Sequence, residues 1–226
     1  MHLNVDAGEL PTEPDDLYRL AEMVNVACGG HAGDVASMER VVAIAMSAGT
    51  RIVAHPSYPD RAGFGRATLT ISPEALEATV FEQVSALADV AARCGARVGG
   101  VKPHGALYHD ANRDPALARA VARAARRVLG EGACIVGPAQ GALSSAATDE
   151  GLALLREGFA DRGVRADGSL VPRGEPGALV TDPARAAARA RELAASGEVD
   201  TICVHGDTEG AIEIVRAVRA ALEAMR

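Results

Sequence analysis

Length, composition and charge place this chain among ordinary globular proteins. Its 226 residues are 48% hydrophobic and 23% charged, with a formal net charge of -7. The acidic and basic residues are interspersed, which excludes the concentrated basic face that nucleic-acid backbones require. No apolar run approaches the length of a membrane span, and the amino-terminal MHLNVDAGEL lacks the features of a signal peptide. We therefore expect a cytoplasmic protein that contacts neither a membrane nor nucleic acid.

Short apolar, β-branched runs alternate with Ala-, Leu- and Arg-rich segments along the whole chain. In chain order, the predicted strands span residues 2–6, 24–28, 51–54, 97–102, 133–137, 154–159 and 200–204. The predicted helices lie near residues 14–22, 35–48, 73–94, 114–129, 140–150, 182–196 and 208–225. Such alternation predicts a parallel sheet, because each return through a helix restores the direction of the strand.

A closed barrel and an open, doubly wound sheet both satisfy this alternation. Two features favour the barrel. No G-x-G-x-x-G follows the first strand, and polar motifs follow nearly every strand, whereas an open sheet would gather them at a single switch point. We therefore expect a single α/β barrel domain over residues 1–226. The stretches 55–66 and 161–178, rich in Gly and Pro, are predicted to be long loops over an active site.

Histidines and carboxylates cluster where the predicted strands end, which is where α/β barrels carry their active sites. The histidines in these windows are His31, His55, His104 and His205. The acids are Asp6, Glu9, Asp34, Asp161 and Asp207. Such convergence suits general acid–base catalysis or a divalent metal. The metal is left open, with Asp6, His55, His104 and His205 as candidate ligands.

Several polar residues also have a structural interpretation. His2 and His109 are expected to be hydrogen-bonded structural histidines. Asp34 is expected to cap the helix that follows it. The neighbouring Asp161 and Arg162 fit a salt bridge within a loop as well as they fit an active site.

Lys102 is the strongest compositional signal, because it is the single lysine among 23 basic residues. It ends an apolar strand and lies beside His104 in sequence. A compact ammonium there could bind a phosphate or carboxylate, or stabilise an oxyanion. The structural alternative is a lysine stem packed at the rim of the barrel. Residues 63–66 (GFGR) combine a flexible, apolar tip with a cation and are predicted to form a lid.

Seven polar segments between residues 3 and 207 resemble, in this order, the LamB/YcsF family of 5-oxoprolinase A subunits. They are LNVDAGE, NVACGGHAGD, AHPSYPDRAGFGR, VKPHGALY, EGFADR, LVPRGEPGALV and TICVHGD. The resemblance implies an irregular (β/α)7 TIM-like barrel of the glycoside hydrolase/deacetylase type. It also implies ATP-dependent opening of 5-oxo-L-proline to L-glutamate, together with partner subunits B and C.

The chain departs from the family pattern in two segments. The family's DLNCDLGE and its following aromatic segment become HLNVDAGELPTEP, with a shortened loop, and Gly30 replaces the aromatic residue of CGFHAGD. These changes leave open a related lactam or amide as substrate. The polar positions that still match the family are Asn4, Asp6, Glu9, His31 and Asp34.

The predicted site divides into two groups of residues. The catalytic group is Asp6, His55, Lys102, His104, His205 and Asp207. The substrate-binding group is Asn4, Glu9, His31, Arg66, Tyr108 and Arg162. In this hypothesis Lys102 and Arg66 hold anionic groups, and His55 with His104 moves protons. Asp6 and Asp207 orient the imidazoles or bind a divalent ion.

ATP is the predicted co-substrate and a small lactam the predicted substrate. Two alternatives remain open at this point. One is a stand-alone metal-dependent amidase or deacetylase, and the other is a non-catalytic subunit that binds substrate for a partner enzyme. The oligomeric state is also open, including a homo-oligomer.

Overall fold

Seven parallel strands close into a barrel in this computed structural model, which describes residues 1–165 and 170–225. The strands are β1 (His2–Ala7), β2 (Met23–Ala27), β3 (Arg51–His55), β4 (Val98–Val101), β5 (Cys134–Gly137), β6 (Ala153–Phe159) and β7 (Thr201–Val204). They follow one another around the barrel in chain order, and β1 pairs with both β2 and β7. The predicted seven-unit β/α barrel is therefore confirmed.

Eight helices cover the outside of the barrel within the described ranges. They are α1 (Asp15–Leu20), α2 (Val35–Ala48), α3 (Pro73–Arg93), α4 (Gly105–Arg113), α5 (Pro115–Leu129), α6 (Ala142–Asp149), α7 (Pro183–Ser196) and α8 (Ala211–Glu223). Asp34 caps α2 through a reciprocal pair of hydrogen bonds with Ser37, as its position predicted. Ser72 caps α3 by accepting a hydrogen bond from the backbone of Ala75. None of the described helices is both long and apolar enough to cross a membrane.

Helix α4 was not predicted, because the segment after β4 lacks the usual signals for a helix start. Its N-cap residue is His104, whose side chain makes no capping hydrogen bond, and its first residue is Gly105 with φ of 56°. The helix ends at Arg113, before the Asp114-Pro115 pair that starts α5. The helix lies directly beside the candidate site.

Side chains alternate between the two faces of each strand, so the barrel has an outer and an inner core. The outer core packs the sheet against the helices and includes Leu3 and Val5 of β1. The lower part of the inner face is a small apolar cluster that comprises Met23, Val53, Cys134, Val136 and Leu155. Polar side chains occupy the inner face further along the same strands, towards their carboxyl ends.

The two long loops predicted over the site do lie at this end of the barrel. Arg66, the last residue of the first loop, lines the same cavity as Val171 and Arg173 of the second loop. Two isolated antiparallel bridges, one between Arg162 and Leu179, stabilise the described part of the second loop. Residues 166–169 of that predicted loop lie outside the described residues.

Candidate active site

A cavity of about 410 Å³ opens at the carboxyl ends of the barrel strands. Its walls combine side chains from the strand ends, helix α4 and both long loops. The predicted site residues that line it are Asp6, His55, Arg66, Lys102, His104, Tyr108, Arg162 and His205. A cavity of this size suits a small-molecule ligand. The strand-end residues singled out in the sequence therefore meet in one place.

Lys102 lies at the centre of a buried charge cluster at the floor of this cavity. Its Nζ is 2.8 Å from Asp6 Oδ1, 2.9 Å from Glu157 Oε1 and 3.1 Å from Cys203 Sγ. Burial lowers the pKa of Lys102, but the neighbouring acidic groups, of which Asp6 has the largest effect, together outweigh it and hold the pKa well above the ordinary value. Burial likewise raises the pKa of Asp6, but His55 and Lys102 hold it well below the ordinary value. The lysine and Asp6 are therefore a charged pair inside the barrel.

Two asparagines below Asp6 fix its position. The Asn25 amide donates to Asp6 Oδ1 at 2.9 Å and to Asn4 Oδ1 at 2.7 Å. Asn4 in turn donates to Thr201 Oγ1 at 2.8 Å. Asn4 was predicted to bind substrate, but its side chain is fully buried and lies beneath the cavity lining. The structure thus gives Asn4 contacts that position Asp6.

Glu9 forms a second buried cluster with three histidines, which we call the Glu9–His cluster (Glu9, His31, His55 and His104). Glu9 Oε1 lies 3.0 Å from His31 Nε2, 3.1 Å from His104 Nδ1 and 3.6 Å from His55 Nε2. The His31 and His104 rings stack with centroids 3.6 Å apart. This cluster lies beside the charge cluster, since His55 Nε2 is also 3.4 Å from Asp6 Oδ2.

Burial sets the protonation states of the Glu9–His cluster. It lowers the pKa of His31 to about 4, and it also lowers the pKa of His104. Burial raises the pKa of Glu9, but hydrogen bonds with His104 and His31 outweigh it, so the pKa falls below its ordinary value. His31 and His104 are therefore neutral at pH 7, and Glu9 is ionised.

His205 and Asp161 form a histidine–carboxylate pair on another wall of the cavity. Asp161 accepts the His205 backbone N–H at 2.9 Å and lies 3.0 Å from Nδ1 of the same residue. Thr208 donates its hydroxyl to Asp161 at 2.7 Å. Burial lowers the pKa of His205, but the charge of Asp161, its hydrogen bond and the charge of Asp6 together outweigh burial and raise the pKa. The second nitrogen, Nε2, is 3.9 Å from Asp6 Oδ2, so the pair reaches the charge cluster.

Arg162 does not complete the salt bridge with Asp161 that the sequence left open. Its guanidinium donates to the backbone carbonyls of Ala178 and Val171, at 3.1 Å and 2.8 Å. These bonds hold the second loop against the barrel. Arg162 lines the cavity as well, so its predicted contact with substrate remains a prediction.

Asp207 joins the two long loops. It accepts from Arg66 at the end of the first loop and from Arg173 in the second, the latter at 2.9 Å. The Arg66 guanidinium lies over the Phe64 ring, 4.6 Å from its centroid. Asp207 was predicted to orient an imidazole or bind a metal, but its described ion pairs are with these two arginines. Its observed contacts therefore tie the loops together over the cavity.

Phe64 places the predicted lid directly over the histidines. Its ring packs edge-on against His31 and His104, with centroids 5.3 Å and 5.6 Å away. Phe64 adopts a φ of 55°, which is uncommon for a residue with a side chain. The loop over residues 63–66 thus covers the Glu9–His cluster in the observed conformation.

Tyr108 of α4 contributes a hydroxyl to the cavity. That hydroxyl is buried and has no hydrogen-bond partner among the described residues. Burial, followed by the charge of Glu157, raises the pKa of Tyr108 well above its ordinary value. The phenol is therefore protonated, and its place in the substrate-binding group remains a prediction.

Sequence reasoning missed Glu157, the second carboxylate on Lys102. Glu157 lies inside the segment EGFADR but was treated as part of strand 154–159. Its side chain is 0% exposed and points to the inner face of β6, as Phe159 two residues later also does. The two-residue alternation of a strand could have identified it.

Glu13 was missed as well, and it holds the loop that carries Glu9. Its carboxylate accepts the backbone N–H groups of Gly8, Glu9 and Leu10 at 2.8 to 3.0 Å, and it accepts the Tyr18 hydroxyl. Burial raises the pKa of Glu13. An acid in the short PTEP segment was the available signal, since such a loop leaves backbone donors that need an acceptor.

Comparisons with known proteins agree on one family. The model of the LamB/YcsF family matches residues 1–226. The 5-oxoprolinase A subunit of Methylococcus capsulatus is 42% identical over 239 aligned residues, which cover 98% of this chain and 92% of the relative. The corresponding protein of Symbiobacterium thermophilum is 41% identical and covers 98% and 91%. The crystal structure of the lactam utilization protein from Thermus thermophilus superimposes with a TM-score of 0.91 at 36% identity, covering 100% of this chain and 96% of that one.

Proposed function

This chain belongs to the LamB/YcsF family, and from that premise we propose that it is the A subunit of an ATP-dependent 5-oxoprolinase. In this proposal it opens the ring of 5-oxo-L-proline to L-glutamate, in a complex with partner subunits B and C. The names of two relatives at 41% and 42% identity support the role. The chemistry of the cavity supports it independently, because a proton acceptor and a proton donor face each other there.

Hydrolysis of a lactam adds the elements of water across the C–N bond. One group must remove a proton from the attacking water, and another must deliver a proton to the leaving nitrogen. Asp6 is ionised, because its pKa is held below its ordinary value, so it is the member of the pair that can accept a proton. His205, whose pKa is raised, is suited to donate one. Their nearest atoms are 3.9 Å apart, and this pairing is the observation that carries the proposal.

This assignment differs from the prediction from sequence, in which His55 and His104 transfer the protons. His55 Nδ1 lies 2.8 Å from the Lys102 carbonyl, and His104 Nε2 lies 3.0 Å from the Phe64 carbonyl. One nitrogen of each ring is therefore held by backbone. His205 instead has Nδ1 oriented by Asp161 and Nε2 directed towards Asp6, which is the usual arrangement of an acid–base histidine.

Lys102 was predicted to hold an anionic group of the substrate. Since it already contacts Asp6 and Glu157, we assign it instead to keeping these buried carboxylates charged and in place. Arg66 and Arg173 at the cavity wall remain cations that can receive a substrate carboxylate.

ATP enters the proposal because the amide of a lactam is a poor electrophile. Coupling to ATP would activate the carbonyl by transfer of the γ-phosphoryl group to its oxygen, with release of ADP. The sequence contains no Walker A motif. We propose that ATP is bound and used by the assembled complex with subunits B and C. A reducing, ATP-containing cytoplasm also fits the four free cysteines, Cys28, Cys94, Cys134 and Cys203.

Replacing His205 distinguishes a catalytic subunit from one that only binds substrate. We expect a complex reconstituted with His205→Gln to bind 5-oxoproline but to release glutamate at least about 100-fold more slowly. His2→Gln is the matched control, because His2 lies at the opposite end of β1. Full activity of the His205→Gln complex would contradict the proposed role of this chain.

A stand-alone, metal-dependent amidase is the second candidate function. The Glu9–His cluster favours it, since three histidines and a carboxylate are metal-ligand types. Such an enzyme would act without ATP and without partner subunits. Dependence of turnover on ATP therefore separates the two functions.

A further inference from the structure

We propose that the Glu9–His cluster binds a divalent transition-metal ion, for which zinc is the best chemical match. The ligands are Glu9, His31, His55 and His104. This inference does not rest on the proposed function, because metal binding can be measured without turnover. The sequence suggested Asp6, His55, His104 and His205 as candidate ligands. Of these four, only His55 and His104 belong to this cluster.

The spacing of the four ligand atoms fits a tetrahedral ion. Zinc bonds to nitrogen and oxygen are about 2.0–2.1 Å long, which separates tetrahedral ligand atoms by about 3.3–3.5 Å. Glu9 Oε1 lies 3.0, 3.1 and 3.6 Å from the nitrogens of His31, His104 and His55. His55 Nε2 and His104 Nδ1 are 3.0 Å apart. All four ligand atoms lie within 4.8 Å of one another, so small shifts suffice to bind an ion.

The hydrogen bonds of His55 and His104, the two members of the cluster that line the cavity, leave one nitrogen of each ring facing the other. A carbonyl oxygen only accepts, so His55 donates through Nδ1 to the Lys102 carbonyl, and His104 donates through Nε2 to that of Phe64. His55 Nε2 and His104 Nδ1 are then the ring nitrogens left to bind an ion. These atoms face each other and the Glu9 carboxylate, an arrangement that a cation at their centre stabilises.

The same hydrogen bonds are those that metal-binding histidines make. A ligating imidazole usually donates its other N–H to a carboxylate or a backbone carbonyl, which fixes the ring and its tautomer. His55 and His104 both satisfy this pattern. Glu9 is fixed by its neighbour Glu13, which accepts the Glu9 backbone N–H at 3.0 Å. Three of the four ligands are therefore held in place by the surrounding chain.

A second group with metal-ligand spacing provides an internal contrast. Asp6, Cys203 and His205 also lie within 4.8 Å of one another. Here the Lys102 ammonium already contacts Asp6 at 2.8 Å and Cys203 at 3.1 Å. This group therefore contains its own cation. The described members of the Glu9–His cluster include a carboxylate and three imidazoles but no lysine or arginine.

The ligand types select the class of metal. Imidazole nitrogens suit zinc and related first-row ions, whereas magnesium and calcium prefer sites made of oxygen ligands. When bound, such an ion supplies Lewis-acid polarisation to a substrate carbonyl or water. His55 and His104 line the cavity, so the proposed ion lies next to the space that a substrate would occupy.

Calorimetric titration of the chelator-treated, full-length chain with zinc chloride tests the proposal. We expect one equivalent of zinc to bind, and we expect His31→Gln to weaken that binding by about 100-fold or more. His31 is the best position to change because its side chain lies outside the cavity lining. His2→Gln is the matched histidine control and should bind zinc as the unchanged chain does. Folding of each protein is checked by circular dichroism.

Two results would overturn the proposal. One is a folded, chelator-treated chain that binds no zinc, and the other is His31→Gln with unchanged zinc affinity. Should His31→Gln fail to fold, the visible spectrum of the cobalt-loaded unchanged chain decides the question. We expect the bands of tetrahedral nitrogen and oxygen coordination. A sulfur-to-cobalt charge-transfer band would place the ion at a cysteine and contradict the assignment.

Discussion

Lys102 Nζ lies 2.8 Å from Asp6 Oδ1 inside the barrel, and each side chain is only 3% exposed. Glu157 approaches the same ammonium at 2.9 Å and is 0% exposed. One buried cation therefore pairs with two buried carboxylates. Lys102 thus contributes to the stability of the site and compensates its negative charge.

Replacing Lys102 tests this dependence. We expect Lys102→Met to lower the free energy of unfolding by about 3–5 kcal/mol, because it leaves buried carboxylates without a partner. The double variant Lys102→Met/Glu157→Gln should regain part of that loss, since it removes one of the two carboxylates. Urea unfolding monitored by circular dichroism measures both. A double variant less stable than Lys102→Met alone would contradict this view of the cluster.

The pair of His205 and Asp161 makes stability depend on pH. Folding raises the pKa of His205 above its ordinary value of 6.5. The resulting stabilisation is thus complete below pH 6.5 and is lost as the pH rises through the folded-state pKa. We expect the stability difference between the unchanged chain and Asp161→Asn to shrink as the pH rises from about 6 to about 9.

Proton NMR of the His205 ring checks the cause of this effect directly. The titration midpoint should lie above 6.5 in the unchanged chain and fall in Asp161→Asn, where burial acts without the opposing charge. Equal midpoints in the two proteins would show that Asp161 does not set the charge of His205.

Gly65 lets the lid lie against the histidines. It has a φ of 63°, and an added Cβ would lie 3.1 Å from His31 and 3.2 Å from both His104 and Ser57. We expect Gly65→Ala to lower the free energy of unfolding by about 2–4 kcal/mol, from backbone strain together with crowding. Gly95→Ala is the control, because Gly95 has a similar φ of 78° but no atom within 4 Å of the added Cβ.

Gly95→Ala should therefore cost only the backbone term, about 1–2 kcal/mol. Thermal unfolding of both variants provides the comparison. Equal losses of stability would mean that the lid yields easily at Gly65 and does not pack closely on the histidines.

Asp207 should control how firmly the two loops are joined. Asp207→Asn removes the charge that Arg66 and Arg173 share. Since Arg66 is 44% exposed, solvent screens its pair, and we expect an effect of about 0.2–1 kcal/mol. This corresponds to at most about a fivefold rise in KM of the reconstituted complex, with faster proteolysis within residues 60–66. An unchanged rate of proteolysis would contradict the joining role.

Most of the architecture could be predicted from local patterns. Each predicted strand agrees with the observed one to within one residue at either end, because β-branched runs bounded by turn residues mark strands clearly. Helix α4 was missed, since its start at Gly105 lacks a capping side chain. Its register depends on the close approach of Gly105 to the Gly65 carbonyl, a contact between distant segments that no local pattern reveals.

The sequence predicted which residues lie in the site better than it predicted which of them contact one another. Strand-end position and the rarity of lysine identified Lys102, His55, His104 and His205 correctly as cavity residues. Which group pairs with which depends on barrel geometry, so the partnership of His205 with Asp161 did not follow from sequence. For the same reason, the structure was needed to show that Glu9 and His31 join His55 and His104 in one cluster, and that His55 also lies beside Asp6.

Glutamate release from 5-oxoproline is the measurement that tests the central claim most directly. The assay compares the chain alone, the chain with subunits B and C, and the full complex with and without ATP. We predict glutamate only when all three subunits and ATP are present. Glutamate formed by this chain alone without ATP would contradict the claim and favour a stand-alone amidase, whereas a folded, assembled complex that releases none with ATP would show that its substrate is not 5-oxoproline.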